Sequence, residues 1–208
     1  MKKLNLTLTF SVILMFVPGL STPALSNPVQ VLAYDDGTSE INVMIHENQY
    51  LRQRFLISDF GPSGNYLVKT VQINWALGIP PEDFAGEIKL RDYDTGNVVT
   101  AASFTPPLSG WYDYDVSGSG FVSDHFYVEL WWTGGFSYIS GDTDAPHHGM
   151  SEISTDSGAT WQLSTYPVTG HYEIDFMIRT HVIPAPGAIL LGTIGVGFVG
   201  WLRRRRML

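Results

Sequence analysis

The sequence predicts an all-β fold, an antiparallel β-sandwich of jelly-roll type, on three observations. Apolar residues recur at every second position through most of the chain, which is the period of a half-buried strand. The runs are short and are punctuated at regular spacing by Gly, Pro and Asp, residues that turn a chain. No stretch between the two ends repeats its apolar residues at the spacing of a long amphipathic helix. Nine or ten short strands so spaced build a sandwich.

Residues 29–34 read as a first strand, closed by the turn signature Asp35-Asp36-Gly37. Residues 50–57 form a second strand, and 58–65 a loop around Gly61-Pro62-Ser63-Gly64. Residues 66–76 form a long strand with Leu67, Val71, Ile73 and Trp75 on one face. Residues 87–92 and 98–104 make a hairpin whose loop carries Gly96. In 111–116, Tyr112, Tyr114 and Val116 face one way and Trp111, Asp113 and Asp115 the other. In 125–132, Phe126, Val128, Leu130 and Trp132 oppose Tyr127, Glu129 and Trp131. Residues 136–139 form a strand, and 141–149 a polar loop with Asp142, Asp144 and His147-His148. A last hairpin joins 150–154 to 160–163 across Asp156-Ser157-Gly158. Residues 171–182 alternate Tyr172, Ile174, Phe176, Ile178 and Val182 with Glu173, Asp175, Arg179 and His181.

The two ends differ from this body. Lys2 and Lys3 precede an apolar run over 4–20 that Pro18 and Gly19 break, and Ala24-Leu25-Ser26 sets small residues at a cleavage site. This is a secretory signal peptide, a helix over residues 1–26 removed after Ser26. At the other end, Pro184-Ala185-Pro186 precedes 16 uncharged residues, 187–202, and then Arg203, Arg204, Arg205 and Arg206. The prolines fix φ and remove donors, so this tripeptide is expected to be extended and open to a processing enzyme. The apolar run is slightly shorter than the roughly 17–25 residues that cross a bilayer. Ala185, Trp201 and the stem of Arg203 extend it into a transmembrane helix. The arginines then stay on the cytoplasmic side. The domains are therefore 1–26, the sandwich 27–183 and the tail 184–208.

The 208 residues include no cysteine, so an exported body must be held by packing, hydrogen bonds or ions. Six of the 12 basic residues lie in the two ends, leaving the body six against 20 acidic residues, a net charge of −14. Such a body does not bind nucleic acid or anionic lipid through charge, and it attracts divalent cations.

No motif requires a cofactor. Asp35, Asp36, Asp142 and Asp144 sit in glycine-flanked loops where oxygens can converge on Ca²⁺, although the EF-hand spacing is absent. Carboxylate pairs such as Asp113 with Asp115, and Glu173 with Asp175, share a strand face about 6–7 Å apart. A hydrolase would need such groups facing across a cleft. No Gly-x-Ser-x-Gly elbow or HExxH helix occurs. Trp111, Tyr127 and Trp131 lie in the register opposite the apolar one and are the candidates for a sugar-stacking surface.

The C-terminal order of Pro-x-Pro, short glycine-rich apolar span and arginine cluster resembles the PEP-CTERM signal handled by exosortases in Gram-negative bacteria. Ala185 stands where that family carries Glu. More loosely, the body resembles β-sandwich modules of bacterial secreted proteins. The matching residues are Tyr34 to Gly37, Gly110-Trp111, Phe126 to Val128, Ser151, Asp156 to Trp161, and Met177 to Arg179. That resemblance implies a fold and an accessory role, and brings no catalytic residues. The resemblances imply a non-enzymatic protein that is exported, membrane-anchored during sorting, and then placed in the cell envelope or an extracellular biofilm matrix. Its partners would be the export machinery, signal peptidase and an exosortase-like enzyme, with polysaccharide as the candidate ligand. A carbohydrate-binding module is the alternative, and a glycan-active hydrolase a further one.

Overall fold

The computed structural model describes residues 29–46, 48–76, 86–105, 109–118, 120–132, 136–144, 150–166 and 172–185. The expected signal peptide with Ala24 and Ser26, and His147-His148, lie outside these residues. So do Pro186, the apolar span and the four arginines. Among the described residues no helix is long and apolar enough to cross a membrane.

In chain order the strands are β1 (Gln30–Ala33), β2 (Ile41–His46), β3 (Tyr50–Leu56), β4 (Tyr66–Trp75) and β5 (Gly86–Asp92). Then come β6 (Val98–Phe104), β7 (Gly110–Asp115), β8 (His125–Trp132), β9 (Phe136–Asp142) and β10 (Ser151–Ser154). The last five are β11 (Gln162–Leu163), β12 (Thr165–Tyr166), β13 (Tyr172–Glu173), β14 (Asp175–Phe176) and β15 (Ile178–Pro184). One sheet runs β1-β15-β4-β9-β14, with β7 also on β4 and β2 also on β9. The other runs β11-β10-β3-β8-β5-β6, and β12 with β13 forms a two-stranded ribbon. Every pairing is antiparallel. The expected sandwich of two antiparallel sheets is what the chain forms.

Between the sheets, Phe55 of β3 stacks on Phe126 of β8 at 5.4 Å and on Tyr34 at 5.6 Å. Tyr34 follows β1, so this stack ties the seven-stranded sheet to the six-stranded one. Its hydroxyl donates to Asp59 at 2.8 Å and accepts from the Leu56 N–H at 3.1 Å, so burying it leaves no polar atom stranded. In β8, Phe126, Val128, Leu130 and Trp132 are buried as the alternation predicts.

Four elements depart from the sequence reading. β2 was not foreseen, although Ile41, Val43 and Ile45 alternate with Asn42, Met44 and His46. In β4 the inward positions are Tyr66, Val68, Val71, Ile73 and Trp75, and Leu67 is only half-buried. The register with β15 slips between His181 and Val182, so Lys69 is an extra residue that reverses the pleat before it. β9 continues through Asp142, which is fully buried rather than in a loop. Finally, residues 171–182 are not one strand. Ile174, Asp175, Phe176 and Met177 are buried in succession, because the chain passes from β12 to β9 to β4 as partners and is covered on both sides. Asp175 therefore points inward, contrary to the expected alternation.

β15 also runs further than expected. Pro184 pairs with Tyr66, and the Ala185 N–H donates to the Asn65 carbonyl at 2.9 Å. Both residues are half-buried. Pro184 is thus extended, as predicted, but it and Ala185 lie against β4 rather than open. Proline is tolerated there because β1 pairs only as far as Val182, so no partner requires the missing donor.

Gly141 marks a close approach in β9. A Cβ there would lie 2.7 Å from Ile174 Cγ2 and 3.1 Å from Ile41 Cγ1. Gly141→Ala is expected to cost about 1–3 kcal/mol as an overpacked site, read as a lower urea midpoint at unchanged slope.

Candidate metal centre

The loop after β1 and the end of β9 meet at one end of the seven-stranded sheet. β2 pairs with β9, Ile41 opposite Gly141, which brings Glu40 and Asp36 beside Asp142. The Asp36 N–H donates to one Asp142 oxygen at 2.8 Å and the Asp144 N–H to the other at 3.1 Å. The Glu40 N–H donates to the Gly141 carbonyl at 3.1 Å, and the Glu40 carboxylate accepts from the Thr143 N–H at 3.1 Å. Asp36 accepts from the N–H and hydroxyl of Thr38 at 2.8 and 2.7 Å. Gly37 makes the turn possible with φ of 99°, a conformation that side chains resist.

Asp36, Glu40, Asp142 and Asp144 each offer a carboxylate oxygen, and these four atoms lie within 4.8 Å of one another. Calcium binds oxygens at 2.3–2.6 Å, so ligands on opposite sides of one ion stand roughly 4.6–5.2 Å apart. The spread fits that sphere. It is wide for Mg²⁺, whose shorter bonds hold opposite ligands about 4 Å apart. Asp142 is fully buried and the other three are exposed, so an ion would enter from solvent onto an anchored carboxylate.

The cluster's own charge registers in its protonation. Glu40 first, then partial desolvation, Asp142 and Asp36 push the Asp144 pKa above the usual carboxylate value. The folded chain therefore holds this proton more tightly than the unfolded chain. Protonated Asp144 favours folding below its unfolded pKa, and that contribution is lost as pH rises through the folded pKa. A cation reverses the sign, since it needs the carboxylate. Calcium affinity is expected to fall as pH drops from about 7 to about 4, measured by calorimetric titration across that range.

Of the four acids the sequence offered for calcium, the structure gathers Asp36, Asp142 and Asp144. Asp35 turns away and forms a bidentate ion pair with Arg179, Nε lying 3.1 Å from each carboxylate oxygen. Glu40 takes its place. Its signal was the unread alternation of β2, which would have set residue 40 at a strand start beside the acidic loop.

The three aromatic candidates do not form one surface. Trp111 is on β7 of the seven-stranded sheet, under the Arg179 guanidinium at 4.2 Å. Tyr127 and Trp131 are on β8 of the other sheet. Arg52 lies 4.1 Å from the rings of both Tyr127 and Trp161. Trp131 stacks on Tyr50 at 4.2 Å and carries Lys89 at 3.8 Å. Buried Glu129 anchors this layer: it takes two hydrogen bonds from Arg91, at 2.8 and 3.0 Å, and one from the Trp131 indole at 3.1 Å. Each candidate ring thus has a cation of the protein on one face. Of the carboxylate pairs, the one on β7 keeps its shared exposed face and the other does not. Asp113 and Asp115 are exposed and bonded to Gln72 and Ser117, whereas Asp175 is buried and Glu173 only half so.

No family model and no curated protein matches this chain. Solved structures do. A clostridial cysteine protease, Cwp84 after propeptide cleavage, aligns with a TM-score of 0.50 at 12% identity, over 76% of this chain and 40% of that one. A structure of the cysteine protease and lectin-like domains of Cwp84, a surface layer associated protein of Clostridium difficile, aligns at a TM-score of 0.45 and 14% identity, over 68% of this chain and 34% of that one. The chain thus spans well under half the length of these neighbours. At such identity the first likeness speaks to the fold alone, a β-sandwich.

Proposed function

We propose that this is an exported, non-enzymatic sandwich of jelly-roll type whose loops are braced by calcium. In this reading its tail sorts it to the cell envelope or extracellular matrix, where it serves a structural or adhesive role. The observation that carries the reading is the convergence of Asp36, Glu40, Asp142 and Asp144 within 4.8 Å. It joins the β1–β2 connection to the end of β9, two segments about a hundred residues apart in sequence. In a body without cysteine, an ion here plays the part of a cross-link, which suits a domain exposed to an oxidising exterior. The export and sorting part rests on the two ends of the sequence, with residues 187–202 as the membrane anchor and an exosortase-like enzyme as the processing partner. Burial of Asp175, with Glu173 only half-buried, supports a role without turnover at that pair.

Calcium at a hundredfold excess over its dissociation constant stabilises a folded protein by about 2.7 kcal/mol. For a domain of this size that is roughly 5–10 °C in Tm. Tm is expected to fall by this amount in EGTA and to recover on adding Ca²⁺, with Asp142→Asn and Glu40→Gln insensitive to both. A melting curve indifferent to chelator overturns the calcium reading. Intact mass of the protein recovered from the envelope tests the sorting reading: a chain ending near Pro186 supports it, and one retaining Arg206 opposes it.

A further inference from the structure

A cleft of about 290 Å³ opens at the edge of the six-stranded sheet, between the β10–β11 hairpin, β12 and the turn that enters β3. It uses none of the residues of the acidic loops. Among the described residues its lining carries no charged side chain, in a body of net charge −14.

The chemistry of the walls is specific. Thr155, Gln162 and Thr165 are exposed there, presenting hydroxyls and an amide. Gln49 accepts from the His46 N–H at 3.0 Å through Oε1, which leaves its amide donors for the cleft. Ile153, packed on the core, and Leu163, 48% exposed, form the apolar part. Ser164 is the telling residue. It is only 2% exposed, yet its hydroxyl has no hydrogen-bond partner. Its backbone is fully used: the N–H donates to the Ser151 carbonyl at 2.9 Å, and its own carbonyl accepts from the Ile174 N–H at 3.0 Å. A buried hydroxyl left unpaired costs free energy, and this one borders the cleft.

We propose that the cleft binds one neutral sugar unit of a glycan. A hydroxyl-rich ligand both donates and accepts, which matches a ring of hydroxyls and amides. Its C–H face would rest on Leu163 and Ile153. The volume lies at the lower limit of small-ligand pockets, roughly 300–1,000 Å³, suited to a single ring such as a chain end or branch. A cation meets no carboxylate among the described lining residues, and an anion is repelled by the body as a whole. This site needs neither the metal centre nor the aromatic layer on β8, so its failure leaves the calcium reading standing, and the reverse.

The test is saturation-transfer NMR on the full chain with D-glucose, D-galactose, D-mannose and N-acetyl-D-glucosamine as probes, and D-glucuronate as the charged control. Transfer is expected to at least one neutral sugar and not to glucuronate. Gln162→Ala and Thr165→Val, both at exposed positions, should each weaken binding by about tenfold, while Trp131→Ala leaves it unchanged. Ser164→Ala should lose affinity without lowering Tm, because the hydroxyl has no internal partner to lose. Silence with all four neutral sugars, equal binding of glucuronate, unaltered binding in the Gln162 and Thr165 variants, or a lowered Tm in Ser164→Ala would each overturn the proposal.

Discussion

Trp75→Ala is expected to destabilise the sandwich by about 3–5 kcal/mol, a large share of the roughly 5–15 kcal/mol that holds a domain folded. Trp75 is 1% exposed at the end of β4. Its ring stacks on Phe104 of β6 at 5.5 Å, across the sandwich. Its indole N–H donates at 2.8 Å to the hydroxyl of Tyr114 on β7, so the indole joins both sheets. Tyr114 is itself buried enough that its pKa is pushed up to about 12. Truncation would open a void and strip Tyr114 of its donor at the same time. Trp75→Phe separates the two losses: it keeps much of the volume and drops the hydrogen bond, for about 1–2 kcal/mol. Urea midpoints of the three proteins at a common slope decide the matter. A Trp75→Ala loss no larger than that of Trp75→Phe would show that the void is refilled.

Glu129→Ala is the second large effect, at about 3 kcal/mol. Glu129 is 1% exposed on a sheet face that otherwise looks to solvent. It is covered by the side chains it binds, Arg91 and Trp131. Removing it leaves the Arg91 guanidinium without its carboxylate and the indole without its acceptor. Arg91 keeps 27% of its side-chain exposure and relaxes toward water, which holds the loss below that of a fully buried pair. A double-mutant cycle with Arg91→Ala isolates the pair. A coupling near zero would mean that Glu129 matters through the Trp131 contact and packing alone.

Legibility of the fold followed the regularity of the pleat. β8 has no bulge and one partner on each side over its length, so its alternation placed Phe126, Val128, Leu130 and Trp132 correctly; Glu129, read as outward, is buried under the side chains it binds. β4 has an extra residue at Lys69, and from one sequence nothing marks the slip; Leu67 was placed on the wrong face for that reason. The segment before β15 changes partners twice within a few residues, and being covered on both faces it lost its period at Asp175. The acidic site was half legible. Glycine-flanked aspartates pointed to the right loops, but which of two adjacent carboxylates turns inward depends on Arg179, a residue 144 positions away. Asp35 and Asp36 look alike in sequence and have different tasks in the fold. Trp111 and Trp131 shared an outward register, yet register says nothing about which sheet a strand joins.

The pairing of β15 up to Pro184 has a mechanical consequence. This strand is flanked by β4 along its whole length and by β1 along part of it. Tension applied through residue 185 along the strand axis acts parallel to the sheet and across its hydrogen bonds. The ladder bonds are then strained together in shear, whereas an edge strand peeled sideways would lose them one at a time. The end of β15, next to residue 185, is thus held in shear by the ladder rather than by bonds that open in turn.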